Sequence, residues 1–227
     1  MSGDEANLFF HVFAIPYSWP HYFLGDDFTD KGAFLSYPYA EKWNGVMQRE
    51  HDRKWEGETP DTWNRLMSYR VSVENGNDFM GLNRVGIQFL ADTMLRLGIG
   101  GSVNFYEEKR DNLPPDQLTI GDVNVLFRFA QSQHWQWRTG LGFRWMHDHT
   151  QTDYGFNFVY GFEWFPHEPL TLGMQFEAGT LGNTGVIRCT SRMGFNWKHA
   201  EIYAGYDYLQ IGGTELHGPM IGLRLWY

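Results

Sequence analysis

The sequence predicts an all-β fold: an antiparallel, up-and-down transmembrane β-barrel of ten strands, with twelve strands as the alternative. Three observations support this prediction. From residue 66 onward, apolar residues alternate with small or polar residues in ten separate runs. Aromatic residues make up 18% of the chain although the mean hydropathy is -0.46, as in a barrel with an aromatic outside and a polar inside. Arginine is concentrated on the polar side of the runs.

Composition excludes several classes of protein. The net charge of -9 argues against nucleic acid as a partner. No apolar run reaches the length of about eighteen residues that a spanning helix needs. The single cysteine, Cys189, excludes an internal disulfide. Residues 1–7 lack the basic and apolar regions of a signal peptide, so we expect that an exported form has lost its signal.

Residues 1–63 are the least regular part of the chain. An apolar run at residues 8–15 is followed by three prolines and then by a charged segment at residues 41–61. Prolines interrupt a strand ladder, so a long regular strand is not expected here. We expect an amino-terminal cap, a plug or extra irregular strands over residues 1–63, and the barrel over residues 64–227.

Each of the ten runs has one apolar face and one small or polar face, because side chains in a strand point alternately to opposite sides. The third run shows the pattern most clearly, with Leu97, Ile99 and Val103 on one face and Gly98 and Ser102 on the other. The runs cover residues 67–74, 84–89, 95–105, 122–129, 135–145, 155–164, 170–177, 188–197, 201–210 and 219–227.

The connections between runs also alternate in kind. Turn residues at 75–78 predict the first hairpin, and residues 91–93 predict the second reversal. Connections after even-numbered runs are short, whereas those after odd-numbered runs tend to be longer and polar. Short turns at one end and longer loops at the other are typical of a transmembrane barrel. An even number of strands also returns both ends of the barrel to one side of the membrane.

A soluble antiparallel barrel or sandwich is the structural alternative, with the apolar face turned inward. Nine of the thirteen arginines would then lie together on the outer face of the strands. A solvated face would normally use lysine as well, yet none of the five lysines lies within a run. The pattern therefore favours lipid outside and arginine inside.

The last run has an apolar face that ends in an aromatic residue, with Gly222, Arg224 and Trp226 on its other face. In this it resembles the final strand of bacterial outer-membrane β-barrel proteins. Three further stretches, residues 74–79, 121–124 and 216–219, look like those of uncharacterised proteins of that kind. The resemblance implies an outer-membrane location, lipid partners and insertion by the barrel-assembly machinery, but no activity. By resemblance, the insertion signal is Ile221, Leu223, Leu225 and Tyr227.

The polar faces predict a lumen filled by charged side chains. Strand order makes Glu163 a neighbour of Arg138, Glu177 a neighbour of Arg188 or Arg192, and Asp207 a neighbour of Arg192. A barrel of about ten strands filled in this way should be plugged. The predicted lumen charges are Arg70, Arg84, Arg96, Arg128, Arg138, Arg144, Arg188, Arg192 and Arg224 with Glu74, Asp122, Glu163, Glu177, Glu201 and Asp207.

Aromatic residues near the ends of the runs predict girdles at the two membrane interfaces, because aromatic rings prefer the headgroup level. The predicted girdle residues are Trp135, Trp137, Trp145, Tyr160, Trp164, Trp197 and Tyr227.

One polar loop offers weak candidates for catalysis: His147, Asp148, His149 and Asp153. Two histidines and two aspartates could supply a base and its orienting acid, or bind a metal. The alternative is a solvated loop, which we favour. A lipid-modifying enzyme would instead need a lipid-facing serine beside a histidine, and the barrel serines face inward by alternation. We therefore expect no metal and no cofactor.

The sequence thus favours a structural or anchoring envelope protein, or a very narrow pore, over an enzyme. The alternative is a hydrolase at the barrel rim, a protease or a lipid-modifying enzyme, that uses the loop at residues 147–153. A third option is a barrel that docks another envelope component through residues 1–63. The identity of a solute, ligand or partner does not follow from the sequence.

Overall fold

The computed structural model of the chain is a closed barrel of ten antiparallel strands. It describes residues 20, 38–39, 67–78, 81–93, 95–108, 116–132, 134–148 and 150–227, and within these no helix is long and apolar enough to cross a membrane. The prediction of ten strands is confirmed. The strands are β1 (Met67–Asn77), β2 (Leu82–Thr93), β3 (Leu97–Glu108), β4 (Asp116–Gln131), β5 (Trp135–His147), β6 (Thr152–His167), β7 (Leu170–Leu181), β8 (Thr184–Trp197), β9 (Ala200–Ile211) and β10 (Thr214–Trp226).

The barrel closes between its first and last strands. β1 pairs with β10 from Arg70 opposite Trp226 to Gly76 opposite Met220, and all other pairings join strands that are consecutive in sequence. A closed ring leaves no sheet edge that could recruit another strand. The twelve-strand alternative is therefore wrong for the part of the chain that the structure describes.

Apolar side chains face outward and polar side chains face inward. Val125 and Leu225 on the outer face are 60% and 62% exposed, whereas Arg144 and Asn157 on the inner face are 1% and 0% exposed. Water would not stabilise an outer surface of this kind, but the hydrocarbon of a bilayer does. The transmembrane orientation of the strands is thus confirmed, and the soluble alternative with an apolar interior is wrong.

The two ends of the barrel differ in their connections. We call the end that holds the start of β1 and the end of β10 the terminus end, and the opposite one the loop end. At the terminus end all connections are short, as predicted: 94–96, 132–134, 168–169 and 198–199. At the loop end, β3–β4 and β5–β6 have the predicted longer loops. The prediction is wrong for β7–β8 and β9–β10, which reverse through two residues with Gly182 at φ 56° and Gly212 at φ 59°.

Two predicted turns belong to strands instead. Residues 75–77 continue β1 and pair with β2, so the chain reverses later, where the Leu82 N–H donates to the Asp78 side chain at 2.9 Å. Residues 91–93 likewise continue β2, and Asp92 is buried in the lumen. Asn, Gly and Asp favour turns, but here strand pairing and ion pairing override that local preference.

Part of the lumen is apolar. Five inward-facing residues near the loop end form a buried cluster, which we call the loop-end cluster, and a smaller buried cluster lies deeper inside. The residues of the loop-end cluster come from five different strands and pack across the barrel, so they fill its cross-section with side chains. The loop-end cluster consists of Tyr106, Ile120, Leu181, Val186 and Leu209, and the deeper cluster consists of Leu90, Leu126 and Val159.

Candidate functional site

The candidate site is the charged part of the lumen. Within the described residues, eight arginines and seven carboxylates point into it, and all but Arg70 are less than a tenth exposed. Alternation along the strands puts them there, since they share a face with the small and polar residues of each run. They are Arg70, Arg84, Arg128, Arg138, Arg144, Arg188, Arg192 and Arg224 with Glu74, Asp92, Asp122, Glu163, Glu177, Glu201 and Asp207.

A four-residue group on β1, β2, β8 and β9 forms a neutral network, which we call the Asp207 network. The Arg84 guanidinium lies 2.8 Å from Glu74 and 3.3 Å from Asp207. Arg188 lies 2.8 Å from Asp207 and 4.0 Å from Glu74. Two cations and two anions thus alternate around a closed circuit, so each charge has a partner on both sides. The network thus links β1 and β2, on one side of the β1–β10 pairing, to β8 and β9 on the other side.

A second part of the lumen holds an isolated ion pair and a separate carboxylate. Arg144 on β5 and Glu177 on β7 form a buried ion pair across β6. Asp122 on β4 accepts hydrogen bonds from the Ser102 hydroxyl and, at 2.5 Å, from the Asn124 amide. Neutral donors of this kind can satisfy a buried carboxylate without neutralising its charge.

The largest group surrounds Glu163 on β6, and we call it the Glu163 network. The Glu163 carboxylate lies 2.5 Å from Arg70 and 2.5 Å from Arg138, and 3.6 Å from both Arg192 and Arg224. Three further residues complete the network through these arginines. Asp92 lies 3.5 Å from Arg138 and 3.8 Å from Arg128, and Glu201 lies 3.1 Å from Arg224. Five cations therefore share three anions.

Side chains at the β1–β10 pairing connect the Glu163 network to the first strand. The Arg224 Nε on β10 donates to the Ser72 hydroxyl on β1 at 3.0 Å. The same guanidinium lies over the Tyr203 ring, at 5.0 Å from its centroid, and the Tyr203 hydroxyl donates to Glu74 at 2.9 Å. Arg70 lies over the Trp226 ring at 4.7 Å. Closure of the barrel and the organisation of its interior thus depend on the same residues.

A cavity of about 60 Å³ remains between these groups. Its lining includes Arg70, Arg138 and Arg192 from the Glu163 network, together with Gln88 and Gly161. Since a cavity needs about 10–15 Å³ of such space to hold one water, it has room for only a few molecules of that size. A sugar or a nucleotide is too large for it.

Tyr39, one of the few described residues from the amino-terminal region, lies against the terminus end. The Tyr39 hydroxyl donates a hydrogen bond to the Leu170 carbonyl at the start of β7. The Tyr39 ring also packs edge-on against Phe165, with 6.2 Å between centroids, and Phe165 is only 1% exposed. Partial burial of the Tyr39 hydroxyl group raises the pKa of Tyr39 to about 12. Apart from residues 20 and 38–39, the predicted cap or plug at residues 1–63 lies outside the described residues.

Most of the predicted charge neighbours can be compared with the observed contacts. Glu163 pairs with Arg138 as predicted. Glu177 does lie opposite Arg188 in the β7–β8 ladder, but its ion pair is with Arg144. The prediction that Asp207 pairs with Arg192 is wrong, because Asp207 binds Arg188 and Arg84. Long arginine side chains reach across the lumen to strands that are not neighbours, and strand order alone does not encode this.

Arg96 was predicted to lie in a strand facing the lumen, and this is wrong. It lies in the β2–β3 turn with φ 65°, just before β3, and its side chain is half-buried. Its carbonyl accepts a hydrogen bond from the Arg128 N–H at 2.8 Å. Conversely, Asp92 was predicted to lie in a turn, and Tyr203 was not among the predicted lumen residues. Both share the inward face of their strands with predicted lumen residues: Asp92 lies just beyond the end of the second run, and Tyr203 lies within the ninth.

Among the described residues, the weak catalytic candidates do not assemble into a site. Asp148 accepts hydrogen bonds from the Thr150 hydroxyl at 2.7 Å, from the Thr150 N–H at 2.7 Å and from the Gln151 N–H at 2.8 Å. These bonds lower the pKa of Asp148 to about 2. The His147 ring hydrogen-bonds to Thr152, and Asp153 accepts from Gln151. His149 lies outside the described residues, within which no cluster of three metal-binding side chains occurs.

The last strand has the predicted orientation. Ile221, Leu223 and Leu225 are 56%, 63% and 62% exposed on the outer face, whereas Arg224 and Trp226 are buried in the lumen. Tyr227 is 86% exposed beyond the end of β10. The predicted insertion signal is therefore displayed on the lipid-facing side.

Outward aromatic residues gather near the ends of the strands. Trp135 opens β5 at the terminus end, where Trp164 faces it across the β5–β6 ladder and Trp197 closes β8. Trp145 lies near the loop end of β5. Tyr160 does not follow this pattern, since it lies in mid-strand in contact with Trp137 and Phe129.

Comparisons with known proteins find distant structural matches but no family. No family model and no characterised protein matches the sequence. Among solved structures, the NanC porin is 10% identical and aligns over 69% of this chain and 100% of its own, with a TM-score of 0.49. Ail, the attachment invasion locus protein of Yersinia pestis, is 12% identical over 71% of this chain and 96% of its own, with a TM-score of 0.32. OmpT, an outer membrane protein of Vibrio cholerae, is 8% identical over 71% and 98%, with a TM-score of 0.30.

These three solved proteins include a porin and an outer membrane protein, yet their identities and TM-scores are too low to transfer a function. The fold of this chain rests on its own closed strand order.

Proposed function

We propose that this chain is an integral β-barrel of a bacterial outer membrane whose lumen is closed by its own side chains, and that it has a structural or anchoring role in the envelope. The observation that carries the proposal is the filled cross-section: the charged networks span the lumen, and the loop-end cluster lies beyond them. An open porin keeps a continuous aqueous channel, whereas here a cavity of about 60 Å³ lies among these groups.

The apolar loop-end cluster supports closure more strongly than the ion pairs do. Charged side chains can rearrange around a passing ion, and water can enter between them. A cluster of Tyr106, Leu181 and Leu209 excludes water because these residues gain stability from mutual burial, by about 25 cal/mol per Å² of apolar surface. A hydrophobic constriction of this kind opposes ion passage by dewetting.

The contact of Tyr39 favours a cap at the terminus end over a free docking segment. Its hydroxyl and ring are both engaged, with the Leu170 carbonyl and with Phe165. A segment that binds an envelope partner needs groups of this kind to be accessible, so that they can contact the partner. We therefore propose that residues 1–63 act as a cap, supported by the Tyr39 contact, and an envelope partner bound through them is the weaker proposal.

A hydrolase at the rim is the alternative, and its test is turnover that depends on His147 or His149. The hydrogen bonds that Asp148 accepts from Thr150 and Gln151 favour a structural loop. No observation in the described loops favours hydrolysis, so we keep this function second.

Liposome swelling tests the proposed function. Proteoliposomes loaded with a large polysaccharide are diluted into isosmotic solutions of a small sugar or amino acid, with an open porin as the positive control. We expect swelling no faster than in protein-free liposomes. Swelling at the rate of the open porin would show that solutes pass and that the role is transport.

A further inference from the structure

We propose that the lumen holds one small monovalent anion of about the size of chloride, bound beside Arg192 in the cavity that Gly161 borders. The proposal rests on the closed lumen proposed above, because an enclosed site keeps the ion away from bulk water. Three independent features of the described residues support it: a local surplus of positive charge, an arginine with weak partners, and unfilled space next to both.

The surplus is confined to the Glu163 network. The Asp207 network has two cations and two anions, and Arg144 and Glu177 neutralise each other. In the Glu163 network five arginines meet the three carboxylates of Asp92, Glu163 and Glu201. Among the described residues this network has a formal surplus of two positive charges, and the separate Asp122 carboxylate, which lines the same cavity, offsets one of them. Uncompensated charge inside a protein is unfavourable, so a counterion there is stabilising.

Arg192 is the member of the network with the weakest partners. Its guanidinium lies 3.6 Å from Glu163, which is shared with three closer or equally close arginines, and 3.4 Å from the Gln88 side-chain oxygen. By comparison, Arg70 and Arg138 both lie 2.5 Å from Glu163. A charged hydrogen bond usually measures about 2.7–2.9 Å, so the donors of Arg192 are not fully used. Among the described residues, the buried Arg138 Nε also has no hydrogen-bond partner.

Gly161 provides the space. A Cβ placed on this inward-facing glycine would have its nearest neighbours at 3.9 Å, the Gln175 side-chain oxygen and the Met174 carbonyl. A Cβ on Gly140 or Gly205 would instead approach other atoms to 2.4 Å and 2.1 Å, because the lumen is packed there. Gly161, Arg138 and Arg192 all line the cavity of about 60 Å³. Space and donors therefore coincide.

The surroundings also select the ion. The cavity fits a few water-sized particles, which suits chloride or bromide and excludes a large organic anion. Glu163, Glu177 and Asp122 line it as well and would repel a multivalent anion such as sulfate. The chemistry is thus that of a small, weakly hydrated, monovalent anion held by guanidinium groups.

Two measurements on the refolded full-length protein test this site. Heat-induced unfolding, followed by gel mobility, is compared in sodium chloride and in sodium gluconate at equal ionic strength. We expect the midpoint temperature to rise with chloride and to saturate, since binding to the folded state alone is stabilising. Crystals grown or soaked in bromide should show one anomalous peak within about 3.5 Å of the Arg192 guanidinium.

Variants separate the site from general salt effects. Gly161→Val fills the cavity without removing a charge, and Gly185→Val is its control, because a Cβ at Gly185 meets nothing within 4 Å. Arg192→Gln removes the proposed ligand, and Arg96→Gln in the β2–β3 turn is the control for lost charge. We expect Gly161→Val and Arg192→Gln to abolish the chloride dependence and both controls to keep it. Since Gly161→Val leaves all arginines in place, it decides the question even where Arg192→Gln does not fold.

The results distinguish this proposal from the proposed function. If the unaltered protein shows no conductance but its bromide crystals show no anomalous peak, the anion site alone is overturned. The same holds if Gly161→Val shows no conductance and keeps the chloride dependence of the unaltered protein. Steady conductance of the unaltered protein overturns the closed lumen and the enclosed site together.

Discussion

Tyr69 on the first strand and Tyr227 at the end of the chain exchange two backbone hydrogen bonds, 2.7 Å from Tyr69 N to Tyr227 O and 2.8 Å from Tyr227 N to Tyr69 O. They extend the β1–β10 pairing to the terminus end of the barrel. The final aromatic residue is therefore part of the closure, and the apolar face that precedes it is lipid-facing. One short segment thus takes part in closing the barrel and also contributes to its apolar outer face.

Removing Tyr227, or changing Leu225 to Asp, should impair assembly of the barrel. The deletion removes both hydrogen bonds to Tyr69, and the aspartate places a charge on the lipid-facing side of β10. Such a charge costs up to ~2–4 kcal/mol for Arg or Lys at mid-bilayer and less for Asp. Gel mobility with and without heating measures the folded fraction, and Leu225→Val is the control. Full heat-shifted migration of both altered proteins would contradict the assigned role of β10.

Brominated lipids should quench the outward tryptophans. Trp197 is 74% exposed near the end of β8, whereas Trp226 is 5% exposed in the lumen. Bromine near the headgroup should therefore quench more than bromine deep in the acyl chains. Trp197→Phe should reduce the quenched fraction, and Trp226→Phe should leave it unchanged. Equal quenching with and without bromine would refute the outward assignment.

Changing Glu163 to Ala should destabilise the barrel strongly. The carboxylate lies within 3.6 Å of four arginines, and its loss leaves their charges buried and uncompensated. A cost of about 3–5 kcal/mol is typical for breaking one buried pair. Urea unfolding in detergent measures it. Glu108→Ala at the exposed end of β3 is the control and should change stability by less than about 0.5 kcal/mol.

Changing Glu163 or Glu177 to Ala should alter the ion selectivity of the lumen in one direction. With Glu163 or Glu177 changed to Ala, the lumen carries additional positive charge among its arginines. We expect a small leak that prefers anions, read from the reversal potential in a salt gradient. A leak that prefers cations would contradict the assignment of these side chains to the lumen.

The β5–β6 loop should keep its hydrogen bonds down to low pH. Hydrogen bonds from the Thr150 hydroxyl and from the Thr150 and Gln151 N–H groups lower the pKa of Asp148 from 3.8 to about 2. Because the folded pKa is depressed, the stabilisation is present above about pH 4 and is lost as pH falls through 2. The amide signals of residues 150–151 should shift with a midpoint near pH 2, and Asp148→Ala should abolish that transition. A midpoint at or above 3.8 would contradict these contacts.

The alternation of side chains predicted the barrel well, because a period of two is set by strand geometry and does not depend on distant contacts. It placed Arg128, Arg144 and Arg224 in the lumen and Leu223 and Leu225 on the outer face, as observed. It failed where local preference and long-range pairing conflict. Asp92 resembles a turn residue by type, but its partners Arg128 and Arg138 hold it in β2.

The interior contacts were harder to predict. Strand order names adjacent residues, but an arginine side chain reaches past its neighbour, as Arg144 does to Glu177 across β6. The loop-end cluster was also missed, since Tyr106, Ile120 and Val186 lie beyond the ends of the recognised runs. Nothing local marks these residues as a plug, because their contacts join strands that are far apart in sequence.

Planar-bilayer recording of the full-length protein tests the central claim most directly, that the lumen is closed by its own side chains. Recordings of a variant that lacks residues 1–63 show whether these residues contribute to closure. We predict no steady conductance for the full-length protein, and at most brief events for the truncated one, since the charged networks and the loop-end cluster remain. A large, stable conductance step in the full-length protein would contradict the account and show that the arginines line an open pore.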